Sequence, residues 1–278
     1  MLIPNTLSIA GVDPSGGAGI LADIKTMSAL GAYGMAVVAA LTAQNTRAVT
    51  HIAPVPPDFV AAQIDTLFDD VRVDAVKVGM LGQAGVTYIV AERLQHWQPG
   101  HVVLDPVMVA KSGDHLLERS AVDALREALI PQATVITPNL PEAAVLLGEN
   151  AADSPKTMRR VAERLRRLMA DDGPRWVFLK GGHLPGNDTI DMLHDGDRLV
   201  ELPGRRIETR NTHGTGCTLS AALAALLPQI SPVPEAARQA KAYLVRAIQA
   251  SDQLQVGSGH GPVQHFHAWW PGHPQAVL

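Results

Sequence analysis

Short apolar segments alternate with amphipathic ones along the chain, and this alternation constrains the fold more than any other feature. The apolar run 7–12 ends in a glycine-rich turn and suits a buried strand. Further on, Val60, Ile64, Leu67 and Phe68 recur at helical spacing. The predicted strands are 7–12, 34–42, 73–79, 101–104, 134–137 and 175–180, with a hairpin at 189–194 and 198–202. The predicted helices are 20–30, 56–68, 83–96, 121–129, 139–147, 156–170, 217–227 and 233–254.

Most of the predicted strands are apolar throughout rather than alternating with polar residues. Such strands are buried on both faces, which predicts an α/β fold with a mainly parallel sheet covered by helices on both sides. Proline and glycine are spread evenly along the chain, and the sequence contains neither an internal repeat nor a low-complexity linker. We therefore predict one domain over residues 1–278.

Charge, cysteine content and hydropathy bear on the possible partners. A net charge of -4 gives no indication of a nucleic-acid partner. The single cysteine excludes a disulfide within the chain and fits a reducing compartment, so we expect a cytoplasmic protein. We expect no membrane contact, because the longest apolar run, 35–41, is far too short to span a bilayer.

The segment Asn211–Ser220 contains Gly214-Thr215-Gly216-Cys217 directly before a small-residue helical run. The first amides of a helix lack partners within it and carry partial positive charge, and glycine lets an anion approach them. We interpret Gly214, Thr215 and Gly216 as a cradle for a phosphoryl group in transfer. A plain glycine-rich turn that caps a buried helix is the alternative.

Cys217 is the candidate base at the mouth of this cradle. A helix N-terminus lowers the pKa of a cysteine, and phosphoryl transfer needs little more than a weak base or an orienting group. The alternative is that Cys217 only packs against the helix start, as buried thiols often do.

Polar residues follow the carboxyl ends of several predicted strands, where ligands bind in open α/β sheets. They occur at 13–19, 42–45, 79–80, 105, 139–142 and 180–182. The loop Asp13–Gly19 matches neither the P-loop nor the dinucleotide-binding pattern, so we interpret it as a loop that closes on a small flat substrate. Its alternative is a flexible turn. Asp23, just inside the next helix, is either part of this site or solvated.

The amide of Gln44 matches the hydrogen-bonding edge of an aminopyrimidine, although capping of the strand end is the simpler interpretation. Asn139 and Glu142 share a helix face, where their oxygens could hold Mg²⁺ through water. The alternative is an ordinary helix cap. Asp105 is a second candidate metal ligand. Lys180 ends a strand before two glycines, where its ammonium could contact a nucleotide phosphate.

A histidine-rich segment lies near the end of the sequence. His265 and His267 raise the possibility of a metal site, but neither a carboxylate nor a cysteine accompanies them. We therefore favour a packed or interfacial aromatic tail over a metal site.

Taken together, these motifs resemble those of the hydroxymethylpyrimidine/phosphomethylpyrimidine kinases of thiamine biosynthesis, within the ribokinase-like superfamily. The similarity covers nearly the whole chain, and several blocks in the same order make it specific. The blocks are 11–19, 41–46, 77–81, 137–143, 180–183, 211–217 and 261–270.

The resemblance implies a ribokinase-like three-layer α/β/α sandwich that transfers the γ-phosphate of ATP. It implies phosphorylation of 4-amino-5-hydroxymethyl-2-methylpyrimidine and then of the resulting monophosphate. By position, Gln44 would bind the pyrimidine in a pocket lined by Gly11, Asp23 and Met80. Gly214, Thr215 and Gly216 would form the anion hole, Asn139 and Glu142 would organise Mg²⁺, and Lys180 would contact the nucleotide phosphates. A homodimer is implied as well.

One position departs from the wider superfamily, and two other functions stay open. The sugar kinases of the superfamily carry aspartate where this chain has Cys217, which leaves the identity of the base open. Pyridoxal kinase is the nearest alternative, because pyridoxal is also a flat heterocycle with a hydroxymethyl group. A nucleotide sensor without catalysis is a more distant one, and a dinucleotide oxidoreductase is disfavoured because the first strand–helix turn lacks its fingerprint.

Overall fold

The computed structural model describes residues 2–108 and 119–270. Within these ranges nine strands form one sheet. They are β1 (Asn5–Val12), β2 (Tyr33–Gln44), β3 (Val49–Pro54), β4 (Ala75–Val78), β5 (Val102–Leu104), β6 (Val135–Ile136), β7 (Trp176–Leu179), β8 (Asp188–His194) and β9 (Leu199–Arg205). The α-helices are α1 (Gly19–Ala29), α2 (Pro57–Asp70), α3 (Ala84–Trp97), α4 (Arg119–Ala124), α5 (Leu140–Leu147), α6 (Pro155–Arg166), α7 (Thr215–Leu226) and α8 (Val233–Gln249).

The strand order is β3-β2-β1-β4-β5-β6-β7-β8-β9. Pairing is parallel from β2 through β1 to β7, whereas β3 at one edge and β8 and β9 at the other pair antiparallel. The β8–β9 pair is the predicted hairpin. The mainly parallel sheet places the carboxyl ends of β1, β2 and β4–β7 along one rim.

Helices cover both faces of the sheet, which makes the three layers predicted from the sequence. Successive residues of a strand enter different hydrophobic clusters, as Val103 and Leu104 show in β5. The cluster around Leu104 includes residues of α2, α3, α5 and α6, and the cluster around Val103 includes residues of α7 and α8. Because both faces are buried, strands such as β5 and β7 are apolar at every position.

The structure differs from the sequence-based prediction in three elements. Strand β3 was not predicted, because most of its residues are exposed and it lacks the apolar character of a buried strand. The helix predicted over 121–129 changes at Leu125–Leu129 to π-helical geometry. The last helix ends at Gln249 instead of 254, and a short 3-10 turn, Ser251–Gln253, follows it.

In the part of the chain described here, none of the helices combines the length and apolar character needed to span a bilayer.

Candidate active site

An open cavity of about 1110 Å³ lies along the rim formed by the carboxyl ends of the parallel strands. Its wall contains every residue that the sequence singled out for the site except Asp23. These are Gly11, Gln44, Met80, Asp105, Asn139, Glu142, Lys180, Gly214, Thr215, Gly216 and Cys217. Residues far apart in the sequence thus meet at one place, as the strand-end argument predicts.

The glycine loop before α7 has the geometry of an anion cradle. Gly214 is the N-cap residue with φ 74°, a left-handed conformation that strongly favours glycine, and no side chain in the described ranges caps the helix. A β-carbon at Gly214 would collide with the backbone carbonyl oxygen of Gly17. The loop therefore packs tightly against the first glycine loop, and Gly214, Thr215 and Gly216 at the start of α7 line the cavity.

A buried pair joins the two glycine loops. His213 Nε2 lies 2.7 Å from Asp13 Oδ2, and Asp13 also accepts hydrogen bonds from the amides of Ser15 and Ala18. Burial acts to raise the pKa of Asp13, but the hydrogen bonds from His213 and Ser15 outweigh it and keep this pKa below its usual value. Sequence analysis missed His213, although a histidine beside a glycine loop was a visible signal.

Cys217 lies in the first turn of α7, partly exposed, with its sulfur hydrogen-bonded by the backbone amide of Gly19. Burial raises the pKa of the thiol to about 11, even though the Lys77 ammonium acts in the opposite direction. The expectation of a lowered pKa is therefore wrong for the protein without ligands. Desolvation of the thiolate outweighs the effect of the helix N-terminus.

Lys180, directly after β7, lies between two carboxylates: Asp105, which follows β5, and Glu142, in the first turn of α5. Its Nζ is 3.1 Å from Asp105 Oδ1 and 3.8 Å from Glu142 Oε2. Burial acts to lower the pKa of Lys180, but these two carboxylates raise it above its ordinary value. The ammonium is therefore fixed in its charged form at the cavity wall, where it can meet a phosphate.

Asp105 anchors Lys180 in the protein without ligands. Its Oδ1 accepts hydrogen bonds from Lys180 and from Thr137 at 2.9 Å, and its Oδ2 accepts one from Ser220 at 3.3 Å. Burial acts to raise its pKa, but the ammonium groups of Lys180 and Lys77 hold it below the usual value. Its role as a second metal ligand stays a prediction.

Asn139 and Glu142 form a capping box at the start of α5. Asn139 Oδ1 accepts from the amide of Glu142 at 2.8 Å, and Glu142 Oε2 accepts from the amide of Asn139 at 2.7 Å. The helix-cap interpretation is thus confirmed. Because the cap occupies the carbonyl of Asn139, Glu142 is the stronger of the two candidate metal ligands.

The donor set fits Mg²⁺ but not a metal held by the protein alone. Among the described residues, no group of three or more His, Cys, Asp or Glu is arranged to hold a metal ion. Mg²⁺ usually keeps several waters and binds one or two carboxylates together with substrate phosphates. A single carboxylate, Glu142, in the wall of a cavity large enough for a nucleotide is compatible with that mode.

Glu142→Gln should stabilise the ligand-free protein at alkaline pH. Burial raises the pKa of Glu142 from 4.5 to about 7, so the folded state binds more protons than the unfolded state between these values. The free energy of unfolding therefore falls as the pH rises through this window. Glutamine keeps the cap oxygen but removes the charge. We expect a higher Tm than wild type above pH 7 and convergence below pH 4.5, measured by thermal melts across pH.

Glu163→Gln is the matched control, because Glu163 is an exposed carboxylate on α6. A Tm gain of the same size in this control would trace the effect to net charge and contradict the prediction.

Gly11, Gln44 and Met80 form the opposite part of the wall. A β-carbon at Gly11 would lie 2.6 Å from Met80 Cε, so the methionine lies directly over this glycine. Gln44, half-buried at the end of β2, accepts a hydrogen bond from Thr42 Oγ1 at 3.2 Å. Its side-chain amide lines the cavity in a partly apolar setting, which suits a small heterocycle.

Asp23 is not part of this wall, which corrects its assignment from the sequence. It is completely buried behind the wall, where Oδ2 accepts hydrogen bonds from Lys77 at 2.8 Å and Ser8 at 2.6 Å. Lys77 itself is fully buried and does line the cavity. The sequence-based prediction did not single out Lys77 as a site residue. The signal was a lysine inside the short apolar strand β4.

The segment 257–265 braces both loops of the site. The amides of Gly259 and His260 donate to Thr46, two residues after Gln44. The amide of His213 donates to the carbonyl of Gly261 at 3.0 Å. His265 is buried against Thr218, which agrees with the packed-tail interpretation.

The far end of the cavity was not predicted. Arg206 donates hydrogen bonds to the carbonyls of Gly182, Leu184 and Gly186, and so holds the loop after β7. The adjoining wall is largely apolar and includes Ile207, Leu219, Leu244, Val245 and Ile248. It offers space for a flat base beyond the phosphate cradle.

A mainly parallel α/β/α sandwich with an amide cradle beside a fixed lysine defines a ribokinase-like small-molecule kinase. The sequence model described as phosphomethylpyrimidine kinase matches residues 13–264, so this chain belongs to that family.

Similar proteins agree with this assignment. The chain is 53% identical to the hydroxymethylpyrimidine/phosphomethylpyrimidine kinase of Escherichia coli K12, across 96% of this chain and 98% of that protein. An ADP complex of Bacillus subtilis pyridoxal kinase superposes with a TM-score of 0.87 at 36% identity, covering 96% of this chain and 99% of that one. Phosphomethylpyrimidine kinase from Clostridium difficile 630 gives a TM-score of 0.77 at 38% identity, covering 88% and 99%.

Proposed function

We propose that this protein transfers the γ-phosphate of ATP to the hydroxyl of 4-amino-5-hydroxymethyl-2-methylpyrimidine and then phosphorylates the monophosphate to the diphosphate. The observation that carries the proposal is the meeting of Gln44, Cys217 and the Gly214–Gly216 amides in one cavity. This arrangement provides a heterocycle contact, a proton acceptor and an anion hole together. Family membership and the 53% identical relative support the same substrate class.

In this proposal the pyrimidine lies against Gln44, Gly11 and Met80, and its hydroxymethyl group points to Cys217. The acceptor oxygen forms the new bond to the γ-phosphorus as the bond to the departing ADP breaks, and the hydroxyl proton passes to the sulfur. The amides at the start of α7 neutralise the charge that develops on the transferred group.

The nucleotide occupies the other half of the cavity. Its phosphates meet Lys180, and its base lies in the apolar wall near Leu244 and Ile248. Mg²⁺, held by the phosphates and through water by Glu142, would supply further charge neutralisation. ATP as the phosphate donor is supported by the ADP complex of the Bacillus subtilis relative.

A homodimer is part of the proposal. It is supported by the family resemblance and by the exposed apolar side chains of Leu41 and Ile52 on the paired strands β2 and β3, which a second copy of the chain would cover.

Gln44→Ala should weaken substrate binding while leaving the chemical step largely intact. The amide contacts the pyrimidine ring rather than the reacting atoms, so its loss removes binding of ground state and transition state alike. We expect KM for the pyrimidine to rise about tenfold or more, the cost of one or two hydrogen bonds, with kcat within about threefold of wild type. Steady-state kinetics with saturating ATP measure both constants.

Asn45→Ala is the control, because this neighbouring amide holds the turn at Arg47 and Ala48. If Gln44→Ala left KM unchanged, Gln44 would return to the role of capping the strand end.

Pyridoxal kinase is the alternative function, favoured by the close superposition on the Bacillus subtilis enzyme. The deciding experiment incubates the purified protein with ATP, Mg²⁺ and either the hydroxymethylpyrimidine or pyridoxal, and identifies the products by mass spectrometry. We expect a pyrimidine monophosphate followed by a diphosphate, at a higher kcat/KM than for pyridoxal. A clear preference for pyridoxal would overturn the assignment, and ATP binding without any transfer would support a sensor.

A further inference from the structure

A fully buried ion pair lies directly behind the acceptor side of the cavity. Lys77 Nζ donates to Asp23 Oδ2 at 2.8 Å, and both side chains have 0% exposure. One of the two carboxylate oxygens, Oδ1 of Asp23, is buried without a hydrogen-bond partner among the residues that the structure describes. Apolar residues often replace a buried pair at no loss of stability. Stability is therefore a weak explanation for charges at this place.

Only one of the two charged residues lines the cavity. Lys77 is part of the cavity wall, whereas Asp23 lies behind it. The ammonium is also close to the backbone, since a β-carbon at Gly79 would lie 2.6 Å from Nζ. Helix α7, which carries Cys217 in its first turn, packs on β4, which carries Lys77. Lys77 and Cys217 thus belong to the same cavity wall and lie on two elements that pack against each other.

Four charged side chains interact electrostatically with Cys217. Lys77 and Lys180 are positive, and Asp23 and Asp105 are negative. Burial raises the pKa of the thiol, Lys77 opposes this rise, and the two carboxylates add to it. Lys180 is already paired with Asp105 and lies toward the nucleotide half of the cavity. On the acceptor side, the net effect of these charges on the Cys217 thiol therefore depends on Lys77 and on its distance from Asp23.

We propose that Lys77 is a positioning residue for phosphoryl transfer, whose buried ammonium, fixed by Asp23, stabilises negative charge on the Cys217 sulfur. The inference rests on the proposed function, in which the thiolate takes the proton of the acceptor hydroxyl. The acceptor oxygen then bonds to the γ-phosphorus, and the electron pair of the broken bond leaves with ADP. Lys77 keeps its proton throughout.

The test uses alkylation of the full-length protein with iodoacetamide, a small neutral probe. The chain has one cysteine, so the rate of modification reports on Cys217 alone. At a pH well below the pKa of the thiol, this rate follows the thiolate fraction. A nearby charge shifts a pKa by about one unit or more, and one unit changes the thiolate fraction about tenfold.

The two single variants should shift the rate in opposite directions. We expect Lys77→Met to slow alkylation about tenfold and Asp23→Asn to accelerate it about tenfold, while Lys77→Arg stays within about threefold of wild type. Equal rates in all variants, or a shift of Lys77→Met and Asp23→Asn in the same direction, would overturn the proposal. A purely structural role gives no reason for opposite signs.

Lys77→Met leaves a buried carboxylate unpaired, which can prevent folding. The double variant Lys77→Met/Asp23→Asn removes both charges and keeps the proposal testable. It should react more slowly than wild type, because Lys77 has a larger effect on the thiol than Asp23 has, and a faster reaction would overturn the proposal.

The alkylation measurement needs no substrate. Opposite shifts in a protein that phosphorylates no pyrimidine would refute the proposed function, and absent shifts in an active kinase would refute only this inference.

Discussion

Gly214→Ala is expected to lower kcat about 1000-fold. Removal of a single donor from an oxyanion hole costs about 100- to 1000-fold, and this substitution displaces several donors at once. Alanine is strained at the φ of 74° observed here, and its methyl group would collide with the carbonyl oxygen of Gly17. The loop has to move, and the amides of α7 then no longer point at the transferred phosphoryl group.

Initial rates with ATP and the hydroxymethylpyrimidine measure this loss, and a circular dichroism melt shows whether the fold persists. Gly173→Ala is the matched control, because a β-carbon at Gly173 meets no atom within 4 Å and its φ is not in the left-handed region. Wild-type kcat in Gly214→Ala, with the fold intact, would remove the anion cradle from the mechanism.

Cys217→Ala is expected to lower kcat for the pyrimidine alcohol about 100-fold, with little change in KM. Loss of a general base costs about this factor and affects the transition state rather than binding. The second reaction gives an internal comparison. The acceptor there is a phosphate whose second pKa is about 6, so its attacking oxygen is already deprotonated at neutral pH. We therefore expect a much smaller loss for the monophosphate.

Measuring kcat for both acceptors with the same variant separates proton transfer from packing. Cys217→Ser, which keeps the size but lacks a comparable base, should behave like Cys217→Ala. An equal loss for both acceptors would point to disturbed packing at the start of α7, and no loss for either would show that Cys217 has no part in the reaction.

The layers of the fold were predictable because burial on both faces leaves a direct trace in the sequence. Strands such as β7 are apolar at every position, and the amphipathic helices between them have a clear period. Strand β3 left no such trace. It is mostly exposed and lies at the edge of the sheet, so only its pairing with β2 identifies it as a strand.

The location of the site was predictable for a topological reason, since parallel strands end at one rim. The hydrogen-bond and ion-pair partners of the site residues were not predictable. Asp105 ends an apolar strand, but its partner Lys180 lies seventy-five residues further along the chain. The same holds for Asp23, whose partner Lys77 lies on another strand.

Competing electrostatic effects set a further limit on prediction from sequence. The position of Cys217 at a helix start predicts a lowered pKa, and that reasoning is sound for an exposed thiol. In the folded protein, burial has the larger effect and raises the pKa to about 11. How deeply a side chain lies in a cavity depends on the whole fold.

The brace formed by Gly259, His260 and Gly261 also affects the order in which the molecule is completed during translation. The last strand of the sheet, β9, ends at Arg205, whereas the backbone groups that hold Thr46 and His213 are synthesised much later. A nascent chain can therefore assemble its framework while the loop after β2 and the loop before α7 still lack this support. The support of these loops is therefore complete only after residues 259–261 have been synthesised and have reached them.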